Sequence, residues 1–300
     1  MSKKEVSELV ERIADLFIRH EEVNRIWDRF DSMRVHLKAG KQNEDPRHLL
    51  LTGLSGVGKT QIGKRYVRRN PSYEFKVDDK KITAMPVLHV KLPYPFTQVD
   101  FYKRILNSLK APIIRSDARV NFLKEQALTL LRAQRTEMII FDEMNFILRT
   151  KRFDNQEAME MFKDLTNEGQ VCLVCMGTPQ IEVLRTMEDE YIRRFGRDTV
   201  SRFETLDDNF RLLLRKIEEA IQPPSPLFLD SEETSAFLHE CCQGRIGYLH
   251  SIIIEAYRLL GVFEPEFKEL SQANLTVSIL AKASYNLYRD SDHLTPPSEI

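Results

Sequence analysis

The chain has 300 residues, of which 42% are apolar and 30% are charged, and its formal net charge is −1. These values are typical of a globular protein with one large domain or two smaller ones. They exclude the overall positive charge that marks many nucleic-acid-binding proteins, so any such surface must be local.

The N-terminus has no apolar signal core followed by a cleavage site, and no run approaches the roughly 20 apolar residues that cross a bilayer. The sequence therefore predicts a soluble, cytoplasmic protein. Apolar residues recur at helical spacing from residue 4 to residue 38, which predicts one amphipathic helix. Gly40 and Pro46 then break the pattern, and we interpret residues 1–45 as a helical extension with its linker.

Residues 46–206 alternate short apolar runs with segments of helical period. The runs are HLLLTG, VLHVKL, MIIFDE and VCLVCMG, and helices are predicted at about 60–69, 99–110, 118–135 and 155–168. Apolar strands separated by helices are typical of a parallel sheet covered on both faces. The fold class is therefore α/β.

The first run leads into GLSGVGKTQ, which has the glycine, lysine and threonine spacing of a P-loop. In this pattern the backbone N–H groups surround phosphates at a helix N-terminus. The lysine reaches the β- and γ-phosphates and the threonine hydroxyl binds Mg²⁺. We predict that the ATP-binding residues are Gly53, Leu54, Ser55, Gly56, Val57, Gly58, Lys59, Thr60 and Gln61.

The run MIIF ends in two carboxylates, Asp142 and Glu143. An aspartate at such a strand end can hold Mg²⁺ together with Thr60, and the adjacent glutamate can orient and deprotonate water. Two carboxylates can also merely cap a strand, but their combination with a P-loop favours ATP hydrolysis. A small-molecule kinase is disfavoured because it does not need to activate water.

The fourth run ends at Thr178, where a polar side chain could sense the γ-phosphate. Gly177-Thr178-Pro179 could equally be a simple turn. Cys172 and Cys175 in this run have strand spacing that directs them to opposite faces, which favours core packing over zinc binding.

Several arginines follow, including Arg194 and Arg202. Guanidinium groups at the edge of such a domain can reach the γ-phosphate in a neighbouring subunit. The alternative is a solvated basic turn, and composition does not decide between the two.

Beyond residue 206 only helical patterns remain, and we predict an all-helical lid over residues 207–290 and a tail at 291–300. The predicted helix after Asp207 or Asp208 precedes three further helices at 231–242, 245–260 and 271–288. Local charge differs between the two parts. Residues 100–135 carry eight basic and three acidic side chains, and residues 204–240 carry nine acidic and three basic ones. This asymmetry is consistent with phosphate-backbone contacts by the α/β part, or with an ordinary charged helix face.

Taken together, these motifs resemble an AAA+ ATPase and, more narrowly, the TniB/TnsC family of transposition regulators. The segment PVLHVKLPYPFTQVDFYKRILNSLKAP (86–112) is similar to the family's second strand, proline-bearing loop and helix. MIIFDEMNFI resembles its Walker B segment, LVCMGTP its sensor strand, DEYIRRF its arginine box and GRIGYLHSIIIEA its lid helix. The resemblance covers roughly residues 10–260.

The resemblance implies an ATP-dependent target selector that forms rings or filaments on double-stranded DNA. It also implies recruitment of a DDE transposase and a TniQ-type adaptor, with hydrolysis resetting the assembly. It assigns Mg²⁺ to Asp142, water activation to Glu143 and the first sensor to Thr178. The arginine finger is Arg194, with Arg202 as a competitor, and the second sensor is Arg245. Candidate DNA contacts, to the backbone and without sequence preference, are Lys103, Arg104, Arg115, Ser116 and Arg119.

Two alternatives stay open from the sequence. One is a helicase loader related to DnaC or IstB, and the other is an ATP-gated protein scaffold that hydrolyses ATP weakly. An ABC-type ATPase is disfavoured because the chain has no stretch similar to LSGGQ.

Overall fold

The computed structural model describes residues 3–38, 48–112, 117–267 and 269–288. The chain forms two compact units. The α/β unit contains Glu22–Ser55 and Lys59–Val200, and the helical unit contains Met1–Glu21, Gly56–Gly58 and Ser201–Ile300. The three residues Gly56–Gly58 of the P-loop are therefore grouped with the helical unit.

Five parallel strands form the sheet of the α/β unit, and two more form a separate antiparallel hairpin. In chain order the strands are β1 (His48–Thr52), β2 (Tyr73–Val77), β3 (Lys80–Ala84), β4 (Val87–Lys91), β5 (Met138–Asp142), β6 (Cys172–Gly177) and β7 (Phe195–Thr199). The sheet order is β4-β5-β6-β1-β7, and β2 pairs with β3. Because β1 lies between β6 and β7, the chain reverses its winding direction beside β1, where α/β sheets bind ligands.

The four strands β1, β4, β5 and β6 form where the sequence has apolar runs. Every residue of β1, β5 and β6 is buried, as expected for a parallel sheet with helices on both faces. This arrangement confirms the predicted α/β class and the four predicted strands. β7 does not follow from the apolar pattern, because its central residues Gly196, Arg197 and Asp198 are not apolar. β7 pairs only with β1, with Leu49 opposite Gly196, so it is an edge strand.

The α-helices of the described residues alternate with the strands and then continue alone. They are α1 (Lys3–Ala14), α2 (Glu21–Lys38), α3 (Lys59–Arg69), α4 (Gln98–Ser108), α5 (Val120–Ala133), α6 (Asn145–Arg149), α7 (Asn155–Gly169), α8 (Glu182–Arg185), α9 (Asp189–Arg194), α10 (Asp208–Ile221), α11 (Glu232–Cys242), α12 (Ile246–Leu259) and α13 (Val277–Tyr288). Side-chain caps fix several helix starts. Thr97 accepts a hydrogen bond from the N–H of Asp100 before α4, and Asp154 accepts from the N–H groups of Gln156 and Glu157 before α7.

The helical unit has its own core, formed by α1 and α10–α13. Leu9 and Ile13 of α1 are fully buried in one cluster with Phe210 and Leu214 of α10 and Ile253 of α12. Of the two predicted candidates, Asp207 and Asp208, it is Asp207 that caps α10, by accepting from the N–H of Phe210.

The prediction of one continuous helix over residues 4–38 is wrong. α1 ends at Ala14 and α2 begins at Glu21. Leu9 and Ile13 pack in the helical unit, whereas Phe30 packs edge-on against Tyr66 in the α/β unit, with ring centroids 5.0 Å apart. The apolar stripe is continuous in sequence because both helices are amphipathic, but it serves two separate cores.

α2 is tied to the edge strand β7 by arginines. The Arg25 and Arg29 guanidinium groups both lie 2.8 Å from Asp198 Oδ2. Arg29 Nη1 also donates to the carbonyl of Arg197 at 2.9 Å, and Arg25 Nη2 to that of Thr199 at 3.3 Å. Burial alone would raise the pKa of Asp198, but hydrogen bonds from the two arginines outweigh it and lower that pKa.

The four cysteines are buried free thiols. Burial raises the pKa of Cys172 to about 12 and also raises that of Cys175, so both stay protonated near neutral pH. In the described part of the chain no three His, Cys, Asp or Glu side chains converge as a metal-binding group. The burial of the four thiols agrees with core packing as their role.

Candidate active site

The loop after β1 has the backbone conformation of a phosphate-binding turn. Gly56 and Gly58 have φ values of +83° and +96°, which side chains rarely allow. Leu54 and Ser55 are exposed, and Val57 is buried at 2% exposure. α3 starts directly at Lys59, so its free N–H groups lie next to the loop, where they favour an anion.

The Lys59 ammonium group is held at this loop. Its Nζ atom donates hydrogen bonds to the carbonyls of Gly53, at 2.7 Å, and Leu54, at 2.8 Å. Burial lowers the pKa of Lys59, and the nearby carboxylates of Asp142 and Glu143 partly counteract that shift. Because the Lys59 side chain is already held at the loop, little further side-chain entropy is lost when its ammonium binds a phosphate.

The end of β5 brings Asp142 to the start of α3. Thr60 Oγ1 donates to Asp142 Oδ2 at 2.7 Å, and Nε2 of His89 on β4 lies 3.4 Å from the same oxygen. Burial alone would raise the pKa of Asp142, but His89 and the Thr60 hydroxyl together lower it. A carboxylate kept ionised beside a hydroxyl is the oxygen donor set that Mg²⁺ prefers, so the residues fit this ion.

Glu143 follows Asp142 with an unusual backbone conformation. Its φ is +63°, in the left-handed region, and its N–H donates to Asp142 Oδ1 at 2.9 Å. Non-glycine residues in this region cluster at functional sites, because surrounding contacts must hold them there. The half-buried Glu143 carboxylate accepts no hydrogen bond from any described residue and can therefore accept one from water.

Thr178, at the end of β6, is held by Asn145, the first residue of α6. The side chains and backbone make two reciprocal hydrogen bonds: Asn145 Nδ2 donates to Thr178 Oγ1 at 2.6 Å, and the Thr178 N–H donates to Asn145 Oδ1 at 2.9 Å. The Thr178 hydroxyl also hydrogen-bonds Gln180. Asn145 was not among the predicted site residues, although it lies only two positions after Glu143. The loop after β5 and the end of β6 are thereby linked.

We expect Asn145→Leu to lower the maximal rate of ATP turnover about tenfold. The change removes both hydrogen bonds that orient Thr178, and each is worth about 1 kcal/mol. Turnover and nucleotide affinity should be measured together, and affinity should change by less than about threefold. Asn145→Asp is the matched control, because it keeps the acceptor for the Thr178 N–H and should lose less activity. A normal rate in the leucine variant would contradict a positioning role for Asn145.

The two finger candidates make contacts within their own units. Arg194 donates through Nε to Glu190 and through Nη1 to Asn167, both at 2.9 Å, and its side chain is only 10% exposed. Arg202 donates to Glu204 at 2.9 and 2.7 Å. Either guanidinium must leave these partners to reach a phosphate elsewhere.

The start of α12 packs on the P-loop within the helical unit. The Gly247 N–H donates to the Gly56 carbonyl at 2.7 Å. A Cβ added to Gly56 would lie only 2.7 Å from the Tyr248 ring, so this position has no room for a side chain. Arg245 occupies the N-cap position of α12, and its Nη1 donates to the Tyr248 hydroxyl at 3.0 Å. The proposed sensor Arg245 is therefore two residues from a direct contact with the nucleotide loop, which the sequence did not reveal.

The predicted DNA contacts lie on α4 and at the start of α5. Lys103 is half-buried, and Arg104 and Arg119 are exposed. Arg115 and Ser116 lie outside the described residues. None of the helices in the described ranges combines the length and apolar character that a bilayer crossing requires.

A five-stranded parallel sheet in this order, with a P-loop after β1, Asp142 at the end of β5 and Glu143 directly after it, defines a P-loop ATPase of the AAA+ class. Solved structures of this fold match at low identity. The *Aeropyrum pernix* ORC1 protein in complex with DNA matches with TM-score 0.63 and 17% identity over 95% of this chain and 70% of that chain. The *A. pernix* ORC2 protein in ADPNP–ADP complexes matches with TM-score 0.60 and 11% identity over 90% and 68%.

Cdc6p from *Pyrobaculum aerophilum* matches with TM-score 0.56 and 11% identity over 93% of this chain and 84% of that chain. At these identities the similarity shows the fold. The family model described as "Bacterial TniB protein" matches residues 10–205, well over half of the chain. The chain belongs to the TniB family, as the sequence motifs indicate.

Proposed function

We propose that this ATPase is a transposition regulator that assembles on double-stranded DNA with ATP and recruits a DDE transposase and a TniQ-type adaptor. Hydrolysis resets the assembly. The observation that carries the proposal is the pairing of a complete P-loop with Asp142, Glu143 and Thr178 in a chain of the TniB family. The partners follow from the family resemblance and not from any contact in the chain.

The geometry supports water-mediated hydrolysis of ATP. Lys59 and the N–H groups of the P-loop bind the phosphates, and Glu143 orients a water molecule and accepts its proton. Thr60 and Asp142 would hold Mg²⁺, which when bound neutralises charge on the β- and γ-phosphates. Thr178, fixed by Asn145, would donate a hydrogen bond toward the γ-phosphate.

We further propose that an arginine from a neighbouring copy completes the site, with Arg194 and Arg202 as the candidates. If Arg194 is the arginine finger, Arg194→Ala should abolish ATP turnover by the assembled protein. If Arg202 is the finger, Arg202→Ala should do so. Mixing that variant with Lys59→Ala should restore part of the activity, because each supplies what the other lacks. If neither arginine variant is rescued by mixing, both assignments are wrong.

The proposed DNA contacts are Lys103, Arg104 and Arg119, together with Arg115 and Ser116. They lie in the segment with net positive charge, and no base-reading motif accompanies them. Binding through the phosphate backbone with little sequence preference is therefore expected.

The proposal is tested by imaging the full chain with duplex DNA and a slowly hydrolysed ATP analogue by negative-stain electron microscopy. We expect rings or filaments that need both ligands. A chain that stays monomeric at saturating nucleotide and DNA would contradict the proposal. Discrete complexes with a replicative helicase alone would indicate a helicase loader, and nucleotide binding without turnover would indicate a scaffold.

A further inference from the structure

Two loops of the α/β unit are joined into one surface at the carboxyl edge of the sheet. The loop after β4 and the turn after α6 share the Thr150 hydroxyl, which donates to the Phe146 carbonyl at 2.7 Å and accepts from the Phe96 N–H at 2.9 Å. Ring contacts continue this link. Phe96 and Phe153 lie 5.0 Å apart, and Tyr94 and Phe146 lie 5.4 Å apart.

This surface carries positive charge without compensation. Four exposed cations belong to it, and none forms an ion pair with a described residue: Lys91, Arg149, Lys151 and Arg152. Other cations of the unit are paired, as Lys124 is with Asp164 and Glu168. The nearest acid in sequence, Asp154, is occupied as the N-cap of α7. We call Lys91, Tyr94, Phe146, Arg149, Lys151 and Arg152 the basic–aromatic surface.

Tyr94 adds a polar aromatic group to the cations. Its side chain is 63% exposed, and the Lys91 ammonium lies 5.8 Å from the neighbouring Phe146 ring. An exposed large aromatic ring leaves apolar surface in water, and aromatic residues are enriched at interfaces, where a partner covers them. Tyrosine hydroxyl, lysine and arginine are side chains that contact DNA phosphates.

We propose that the basic–aromatic surface binds the phosphate backbone of double-stranded DNA. This inference rests on the proposed function but assigns residues that neither the sequence analysis nor the family match singles out. Duplex DNA fits better than an acidic protein segment, because closely spaced phosphates can engage several clustered cations and a phenol hydroxyl at once. The Thr150 link holds the cations of both loops together, so they act on one partner.

The test measures binding of a fluorescent duplex to the full chain with a slowly hydrolysed ATP analogue, as a function of salt. Each phosphate contact contributes about −0.9 to the slope of log K against log[salt]. The triple variant Arg149→Gln/Lys151→Gln/Arg152→Gln should therefore bind at least about tenfold more weakly, with a slope shallower by about 2 to 3. Tyr94→Ala should weaken binding by about threefold without changing the slope.

The matched control is Lys76→Gln/Lys80→Gln/Lys81→Gln in the β2–β3 hairpin, which removes the same charge from another exposed surface. It should bind DNA nearly as the natural chain does. If the natural chain binds DNA and both triple variants show the same affinity and slope, the inference is overturned and the proposed function stands. If the natural chain does not bind DNA, the proposed function is wrong, and the inference that rests on it is wrong as well. Equal affinity of this surface for labelled polyglutamate would also overturn the inference.

Discussion

Glu143→Gln is expected to reduce ATP turnover by at least about a hundredfold while the protein still binds ATP. Glutamine preserves the size and hydrogen-bonding shape of the side chain but cannot accept the proton of the attacking water. The left-handed backbone at this position, with φ of +63°, is equally accessible to both residues. Folding should therefore be unaffected, and the loss should be in the maximal rate alone.

The measurement compares steady-state turnover with nucleotide affinity and with the lifetime of the DNA-bound assembly. If the proposed assembly forms, Glu143→Gln should lengthen its lifetime, because the ATP that the proposal places between subunits would stay intact. Lys59→Ala is the contrasting control and should lose ATP binding itself, since it removes the ammonium that is proposed to contact the phosphates. A Glu143→Gln protein that disassembles when ATP is added would show that hydrolysis does not time the assembly.

The second large effect is on stability. Gly244→Ala should destabilise the helical unit by about 3 kcal/mol or more. Gly244 has φ of +67°, and a Cβ there would lie 1.8 Å from the Phe203 carbonyl oxygen. Backbone atoms cannot move aside cheaply, and the hydrogen bond from the Phe203 N–H to the Gly244 carbonyl, at 2.9 Å, would be lost as well.

Hydrogen exchange resolved along the chain is the suitable measurement, because a chain of two units need not unfold in one step. Amides of α11 and α12 should lose protection, while those of β5 and β6 should keep it. Gly261→Ala is the matched control. Its φ is also positive, at +75°, but the nearest atom is Glu264 Cγ at 4.0 Å, so only the conformational cost of about 1 kcal/mol applies. Equal effects of the two substitutions would refute the steric explanation.

The sequence predicted the parts of the fold that depend on local pattern. The buried strands β1, β4, β5 and β6 follow from apolar runs, and helix starts such as Asp207 follow from capping chemistry. β7 and the β2–β3 hairpin escaped because edge and exposed strands have no such run. The break between α1 and α2 depends on which core each helix joins, and this is not encoded in periodicity.

The nucleotide site was predictable to the extent that its residues are adjacent in sequence. The P-loop, Asp142 and Glu143 carry spacing that chemistry explains. His89 and Asn145 belong to no such spacing pattern. His89 is brought to Asp142 by the order of the strands, and Asn145 is brought to Thr178 by the turn into α6. The sequence does hold one indication of the role of His89, which is a histidine among the apolar residues of a strand. A polar side chain in such a strand needs a polar partner.

The contacts of Arg25 and Arg29 of α2 with β7 limit how copies of this chain can associate. An outer strand offers its free carbonyls to any extended segment nearby, and here Arg25 and Arg29 already occupy those of Arg197 and Thr199. A second molecule cannot extend the sheet on that side by β-augmentation. If copies of this chain assemble as proposed, their contacts at this edge would have to be made by side chains, which can separate again without breaking a ladder of main-chain hydrogen bonds.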